Sequence, residues 1–236
     1  MDSTPPTTGL QERRPSRQGR PRRLSHDAVL DAALELLGEI PLEAFTLAKL
    51  AQRLGASTMS LYTYYPSRDG LLEAVAERAF HLFVAPEPRG NWRDRVLDWL
   101  WALQRHVDLH PIATKLMAWN GRVPMAWLRI WTPILALLRE QGLEGRALAV
   151  TFDWFINAAI GLIVTQHSAT QVTKSAAVGD IGAFAPEEGM LLLRFFYDLQ
   201  SVERDSRFAL GFRRLIEGLE ASIAEARNGT LERTES

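Results

Sequence analysis

The chain has no cysteine in its 236 residues, which excludes disulfide staples and thiolate metal sites. No run approaches 18 consecutive apolar residues, so no membrane span is expected. The first residues are polar and arginine-rich, unlike a secretory signal with its apolar centre. These three absences together place the expectation in the cytoplasm. No segment alternates apolar and polar residues convincingly, so the expected class is all-α. No internal repeat is evident. There is also no nucleophile elbow, no phosphate-cradling glycine loop and no Cys/His metal set, so an enzyme is not expected and no cofactor is implied.

Apolar residues make up 47% of the chain, enough to bury a core in one or two domains. Net charge is −1, and its distribution matters more than its sum. Residues 1–24 hold six arginines against Asp2 and Glu12, with proline, glycine and threonine and no helical period. They read as a disordered basic arm when free, or as a plain solvated tail. Residues 25–84 hold four basic and eight acidic side chains, so bulk positive charge is absent there.

Helical periodicity begins at Ser25, an N-cap with Asp27 in the first turn. Val29, Leu30, Ala33, Leu36 and Leu37 form its apolar stripe, ended by Gly38 and Pro41. Thr46 caps a second helix that turns Leu47, Leu50, Ala51 and Leu54 inward, and Gly55 suits a left-handed close. Ser57 caps a third helix stopped by Pro66. Ser67 caps a fourth, with Leu71, Leu72, Val75, Ala79 and Phe83 inward. After the linker 85–91, further helices are expected at 92–110, 112–118, 124–141, 145–168, 187–202 and 205–226. The Ala/Gly/Thr stretch from Ser168 to Pro186 reads as a mobile loop. The expected domains are therefore 1–24 (arm), 25–84, 92–226 and 227–236 (tail).

Residues 46–65, TLAKLAQRLGASTMSLYTYY, carry the strongest signal. Ala51 is small where two helices must cross closely, and Gly55 supplies the turn between them. Leu61 alone returns to the core from the middle of the third helix. Thr58, Ser60, Tyr62, Thr63 and Tyr64 then offer hydroxyls and flat apolar faces to a DNA major groove. Lys49 and Arg68 each sit in a first helical turn, where a cation opposes the helix dipole. A nearby DNA phosphate accounts for both placements, and the helix N-termini at Thr46 and Ser57 share in that attraction. Arg20, Arg22 and Arg23 are placed to reach the neighbouring backbone or minor groove.

The stretches AVLDAALELL, FTLAKLAQRLGAS and SLYTYYPSRDGLLEAVAE closely resemble the N-terminal domain of the tetracycline-repressor (TetR) family of transcriptional regulators. Arg68 stands where that family usually has lysine, Tyr64 where histidine is common, and Tyr65 where phenylalanine is common. Ile40-Pro41 replaces the usual glycine-containing turn. WRDRVLDWLWALQRHVDLHP and LLREQGLEG resemble the C-terminal domain of the tetracycline-repressor branch more loosely. The resemblance implies a helical ligand-binding and dimerisation domain. Residues of about 145–168 and 205–226 would then form a four-helix bundle with a second copy. It further implies a dimer on a pseudo-palindromic double-stranded operator, released by a small-molecule effector, with no membrane partner. An activator, or a repressor without an effector, is the alternative.

All seven tryptophans follow residue 84, and they read either as core or as an aromatic pocket between helices. Trp99, Leu103, His106 and His110 share one helical face. The two histidines, four residues apart, suit a metal, a ligand or simple burial. Trp119, Trp127 and Trp131 complete the candidate ligand set. Asp153, Asn157, Gly161 and Thr165 make a polar stripe on an apolar helix. That stripe faces either a partner copy or a ligand hydrogen-bonded by Asn157.

Overall fold

The computed structural model describes residues 24–116, 123–175 and 184–228. All regular structure among them is helical. In chain order the helices are α1 (His26–Glu39), α2 (Leu47–Leu54), α3 (Thr58–Tyr64), α4 (Arg68–His81), α5 (Trp92–Leu109) and α6 (Pro111–Leu116). They continue with α7 (Met125–Glu140), α8 (Gly145–Ser175), α9 (Pro186–Ser201) and α10 (Arg204–Arg227). Four hydroxyl caps form as their spacing predicts. Ser25, Thr46, Ser57 and Ser67 accept from the backbone N–H of Ala28, Lys49, Ser60 and Gly70 at 3.0–3.2 Å. Each stabilises its helix by about 1 kcal/mol. Gly55 closes α2 at φ 62°, and the Ala56 N–H reaches back to the Ala51 carbonyl at 3.0 Å.

Two departures from the sequence reading stand out. A single 3-10 turn, Leu42–Ala44, fills the connection between α1 and α2. Helix α8 also runs on to Ser175, into the stretch read as a loop. Residues 162–178 contain neither glycine nor proline, so nothing in them breaks a helix. Residues 176–183 of that expected loop lie outside the described residues.

The apolar side chains form two clusters. The first joins Val29, Leu37, Leu50, Leu61, Leu71 and Leu72 from α1 to α4, and Ile112 and Leu116 of α6 plug into it. The second gathers Trp99, Leu103, Trp131, Phe155, Phe212 and Leu219 from α5, α7, α8 and α10. Helix α4 belongs to both: Leu71, Leu72, Val75 and Ala76 serve the first, Ala79 and Phe80 the second. Helices α8 and α10 lie so close that a Cβ at Gly218 would strike the Trp154 ring, and one at Gly211 the Leu162 side chain. Arg204, at the start of α10, grips both oxygens of Asp108 on α5 at 2.5 and 2.7 Å.

Helix α7 starts after Pro124 without a side-chain cap of its own. Its cap comes from α4. Glu77 accepts from the Met125 N–H at 2.5 Å and from the Ala126 N–H at 3.0 Å. A carboxylate there satisfies two orphan donors and complements the dipole, for about 1–2 kcal/mol. Glu77→Ala is expected to lower the melting temperature by about 2–6 °C and to speed amide exchange at Met125 and Ala126. Unchanged exchange at both amides would show that the cap carries no weight.

Candidate nucleic-acid interface and ring cluster

The exposed face of α3 follows from its one inward residue. Leu61 is fully buried. At 100° per residue, positions 59 and 63 lie opposite it, 60 and 62 lie to the sides, and 58, 64 and 65 lie near its own face. Met59, Ser60, Tyr62 and Thr63 are accordingly exposed, while Thr58, Tyr64 and Tyr65 are half-buried. Met59 is more open than Tyr62, 77% exposed against 47%. The sequence reading passed over Met59 because it looked for hydroxyls and aromatics. The angular distance from Leu61 would have found it.

Tyr64 is turned away from that exposed face. Its hydroxyl donates to the Leu24 carbonyl at 2.7 Å, and its ring meets His26 edge-on. It therefore fixes the point where the chain enters α1. Ser57 and Ser60 hydroxyls lie 2.8 Å apart, and Thr63 reaches the Met59 carbonyl at 3.5 Å. Thr46 is exposed and engaged in its cap. Arg20, Arg22 and Arg23 lie outside the described residues.

The two oddly placed cations have a local explanation that the sequence reading lacked. Lys49 Nζ donates to the Ala44 carbonyl at 2.9 Å. Arg68 donates from Nε to Phe45 O at 3.1 Å and from a terminal nitrogen to Leu42 O at 2.8 Å. Both cations thus close the carbonyl end of the 3-10 turn, where positive charge is favourable. The other two cations of this bundle are also engaged. Arg53 bonds Glu39 at 2.7 Å and Glu35 at 3.0 Å, and Arg78 bonds Asp31 at 3.0 Å. The Arg53 guanidinium holds the Glu39 carboxyl below its usual range. All four cations of residues 25–84 therefore have partners inside the bundle.

In the second cluster the structure brings Trp99, Leu103, His106, Trp127 and Trp131 together. Trp99 and Trp131 lie 4.4 Å apart between ring centroids, and Trp127 and Trp131 5.3 Å. Two residues of the α4 end complete this set, and the sequence reading did not assign them to it. Phe80 meets Trp127 at 5.1 Å, and Phe83 meets Trp99 at 6.0 Å and His106 at 5.6 Å. The apolar stripe of α4 continuing past Ala79 was the available signal. A cleft of about 230 Å³ between α4 and α7 is lined by Phe80, Phe83, Ile130 and Pro133, with His81 and Arg129 also facing it.

Two candidate ligand residues, Asn157 and His110, fall elsewhere. Asn157 is exposed on α8 in line with Asp153, Gly161 and Thr165, away from the rings. Apolar neighbours at 155, 159 and 163 take the inward positions of that helix instead. His110 touches His106 at 5.0 Å but caps α5 and faces a separate cleft of about 450 Å³ beside α1. Trp119 lies outside the described residues. No group of three His, Asp or Glu side chains able to hold a metal forms among the described residues.

Comparison with known proteins matches this geometry. The profile described as "Bacterial regulatory proteins, tetR family" matches residues 29–75, and "Tetracyclin repressor-like, C-terminal domain" matches residues 85–223. The chain is 27% identical over 210 residues to the class D tetracycline repressor protein of Escherichia coli, covering 85% of this chain and 91% of that one. It is similar to apo ActR of Streptomyces coelicolor, with TM-score 0.66, 26% identity, and 88% and 99% of the two chains covered. ActR in complex with actinorhodin gives TM-score 0.64 at 24% identity, covering 86% and 99%.

The buried His106 carries a pH signature. Burial, with the neighbouring His110 adding repulsion, lowers its pKa from 6.5 to about 4. The unfolded chain then binds the extra proton first as pH falls. The stabilisation is complete above pH 6.5 and is lost between 6.5 and about 4, by on the order of 3 kcal/mol. Urea unfolding across that window should show the loss in the native protein and a flatter profile in His106→Leu. Parallel profiles would mean that this imidazole does not titrate across folding.

Proposed function

The chain belongs to the tetR family of bacterial regulatory proteins, and on that premise we propose that it is a dimeric repressor released from its operator by a small, largely apolar or aromatic ligand. Members of this family regulate transcription and are not enzymes. The observation that carries the proposal is the double membership of α4. Its first half lies in the same core as Leu61 of α3, and its end lies among the rings of the second cluster. A ligand that parts Phe80 and Phe83 from Trp99 and Trp127 moves a helix that shares its core with Leu61 of α3. It releases DNA only if it binds that shifted form more tightly.

DNA reading falls to the exposed arc Met59, Ser60, Tyr62 and Thr63 in a major groove. Thr46, Lys49, Ser57, Thr58, Tyr64 and Arg68 border it, and Arg20, Arg22 and Arg23 supply the phosphate attraction that the bundle's paired cations do not. Bare apolar surface supports a dimer. Helix α8 is long and apolar enough to cross a membrane by length and composition, yet little of it is buried in its own chain. Val150, Trp154 and Leu210 are exposed on α8 and α10, and α9 exposes Met190, Leu191, Phe195 and Tyr197. A second copy laid over these helices covers that surface. A regulator of this kind works in the cytoplasm, where its operator lies. The aromatic ligand class is supported by the ring cluster and by ActR having been solved with actinorhodin.

Binding to DNA from upstream of the protein's own gene, read by fluorescence anisotropy, tests the interface. Met59→Ala and Tyr62→Ala are each expected to weaken binding by about tenfold, at 1–2 kcal/mol of lost groove contact, with melting unchanged. Replacing the three arm arginines by alanine is expected to flatten the salt dependence. Wild-type affinity for both α3 variants would remove α3 from the interface. Leu210→Glu is expected to give a folded monomer by sedimentation, and a persisting dimer would place the contact elsewhere.

A further inference from the structure

The cleft of about 450 Å³ beside α1 is separate from the one between α4 and α7. One wall is α1, through Asp31, Leu34, Glu35 and Gly38. The other is Leu82 at the end of α4 and the corner from Leu109 to Ile112 between α5 and α6. Leucine, isoleucine and proline side chains from both walls make its lining largely apolar, and Leu82 and Leu109 are exposed there. Its volume suits a small organic molecule.

Two features of α1 are costly to the helix and meet at this cleft. The first is a ladder of like charge. Asp27, Asp31, Glu35 and Glu39 recur every four residues and share one helix face, a spacing at which like charges destabilise. Arg78 lies 3.0 Å from Asp31 and 3.7 Å from Asp27, and Arg53 lies 3.0 Å from Glu35 and 2.7 Å from Glu39. Each guanidinium is thus divided between two carboxylates, and the ladder keeps an excess of negative charge. Its inner pair, Asp31 and Glu35, stands at the cleft. The second feature is Gly38, inside α1, where glycine is among the least favourable residues. No left-handed φ calls for it, and a Cβ placed there meets nothing within 4 Å. What the glycine does is leave the wall of the cleft open. His110 completes the lining, and burial lowers its pKa from 6.5, so it is uncharged at neutral pH. The lining therefore offers two carboxylates and no cation beside an apolar surface.

We propose that this cleft is a small-molecule site distinct from the ring cluster. It takes an organic ammonium whose apolar body lies on Leu34, Leu82, Pro111 and Ile112 and whose charge pairs with Asp31 and Glu35. An anion of the same outline is repelled, and a neutral molecule leaves the excess charge of the ladder unserved. Ile112 belongs to the N-terminal core although it follows directly on α5. An occupant that touches α1 and this corner together braces the seam between the two cores. The site goes beyond the effector-responsive reading above and does not rest on it.

Titration with naphthylbutylamine and with naphthylbutanol, its neutral counterpart of the same outline, tests this by calorimetry and amide NMR. The native protein is expected to bind the amine about tenfold more tightly than the alcohol. The amides of Gly38, Leu82 and Ile112 should shift with it, a readout that needs no variant. Asp31→Asn combined with Glu35→Gln is expected to remove that factor for the amine and to leave the alcohol's affinity unchanged, which also reports an intact cleft. Gly38→Leu is expected to fill the cleft and weaken both probes about tenfold or more, with thermal melting confirming that the variant folds. Equal affinity of the native protein for the two probes, amide shifts confined to the ring cluster, native affinity for the amine in both variants, or no binding of either probe overturns the inference. The effector-responsive reading fails separately, only if no small molecule weakens operator binding.

Discussion

Helix α4 cannot move without disturbing two cores at once. Leu71, Leu72 and Val75 hold its first half in the core shared with α1 and Leu61, while Ala79 and Phe80 hold its second half among the rings of α5 and α7. Between these anchor points Glu77 caps α7 with both carboxylate oxygens. Packed cores resist continuous deformation, so a helix shared by two of them transmits a shift rather than absorbing it. Helix α6 adds a second tie, because Ile112 and Leu116 leave α5 to enter the N-terminal core. The proposed release of DNA depends on these ties more than on any single contact to ligand or base.

Charge is arranged so that folding and DNA attraction do not compete. Lys49 and Arg68 close the carbonyls of the Leu42–Ala44 turn, and that turn sets where α2 begins. Arg53 and Arg78 cross-link α2 and α4 to carboxylates of α1. Exposed pairs of this sort contribute modestly to stability, yet they occupy the bundle's cations. In the proposed repressor, long-range pull on phosphate then comes from the arginine arm, and the uncharged arc of α3 reads sequence.

Much of the fold was legible in the sequence because local rules fixed it. Each of the four hydroxyl caps, the left-handed Gly55 and the inward stripe of α1 depends on residues a few positions apart. What stayed hidden depends on partners distant in the chain. Lys49 and Arg68 looked misplaced until the carbonyls of the turn came into view. Tyr64 looked like a groove residue until its hydroxyl met Leu24, forty positions away. Asn157 lies on a helix with polar and apolar stripes, and periodicity alone does not say which stripe meets a ligand. Phe80, near the end of α4, and Phe83, two residues past it, join the rings of α7 and α5 only because α4 outlasts the bundle in which it starts.

In the proposed dimer, α4, capped onto α7 by Glu77, sets the separation of the two α3 helices. The chain has no native cysteine, so Gln52→Cys on the exposed side of α2 gives one spin label per copy. Dipolar spectroscopy then measures the distance between labels directly. A narrow distribution in the otherwise native protein, clearly broadened or displaced by Glu77→Ala, is the predicted result. Superimposable distributions with and without the Glu77 carboxylate would contradict the account.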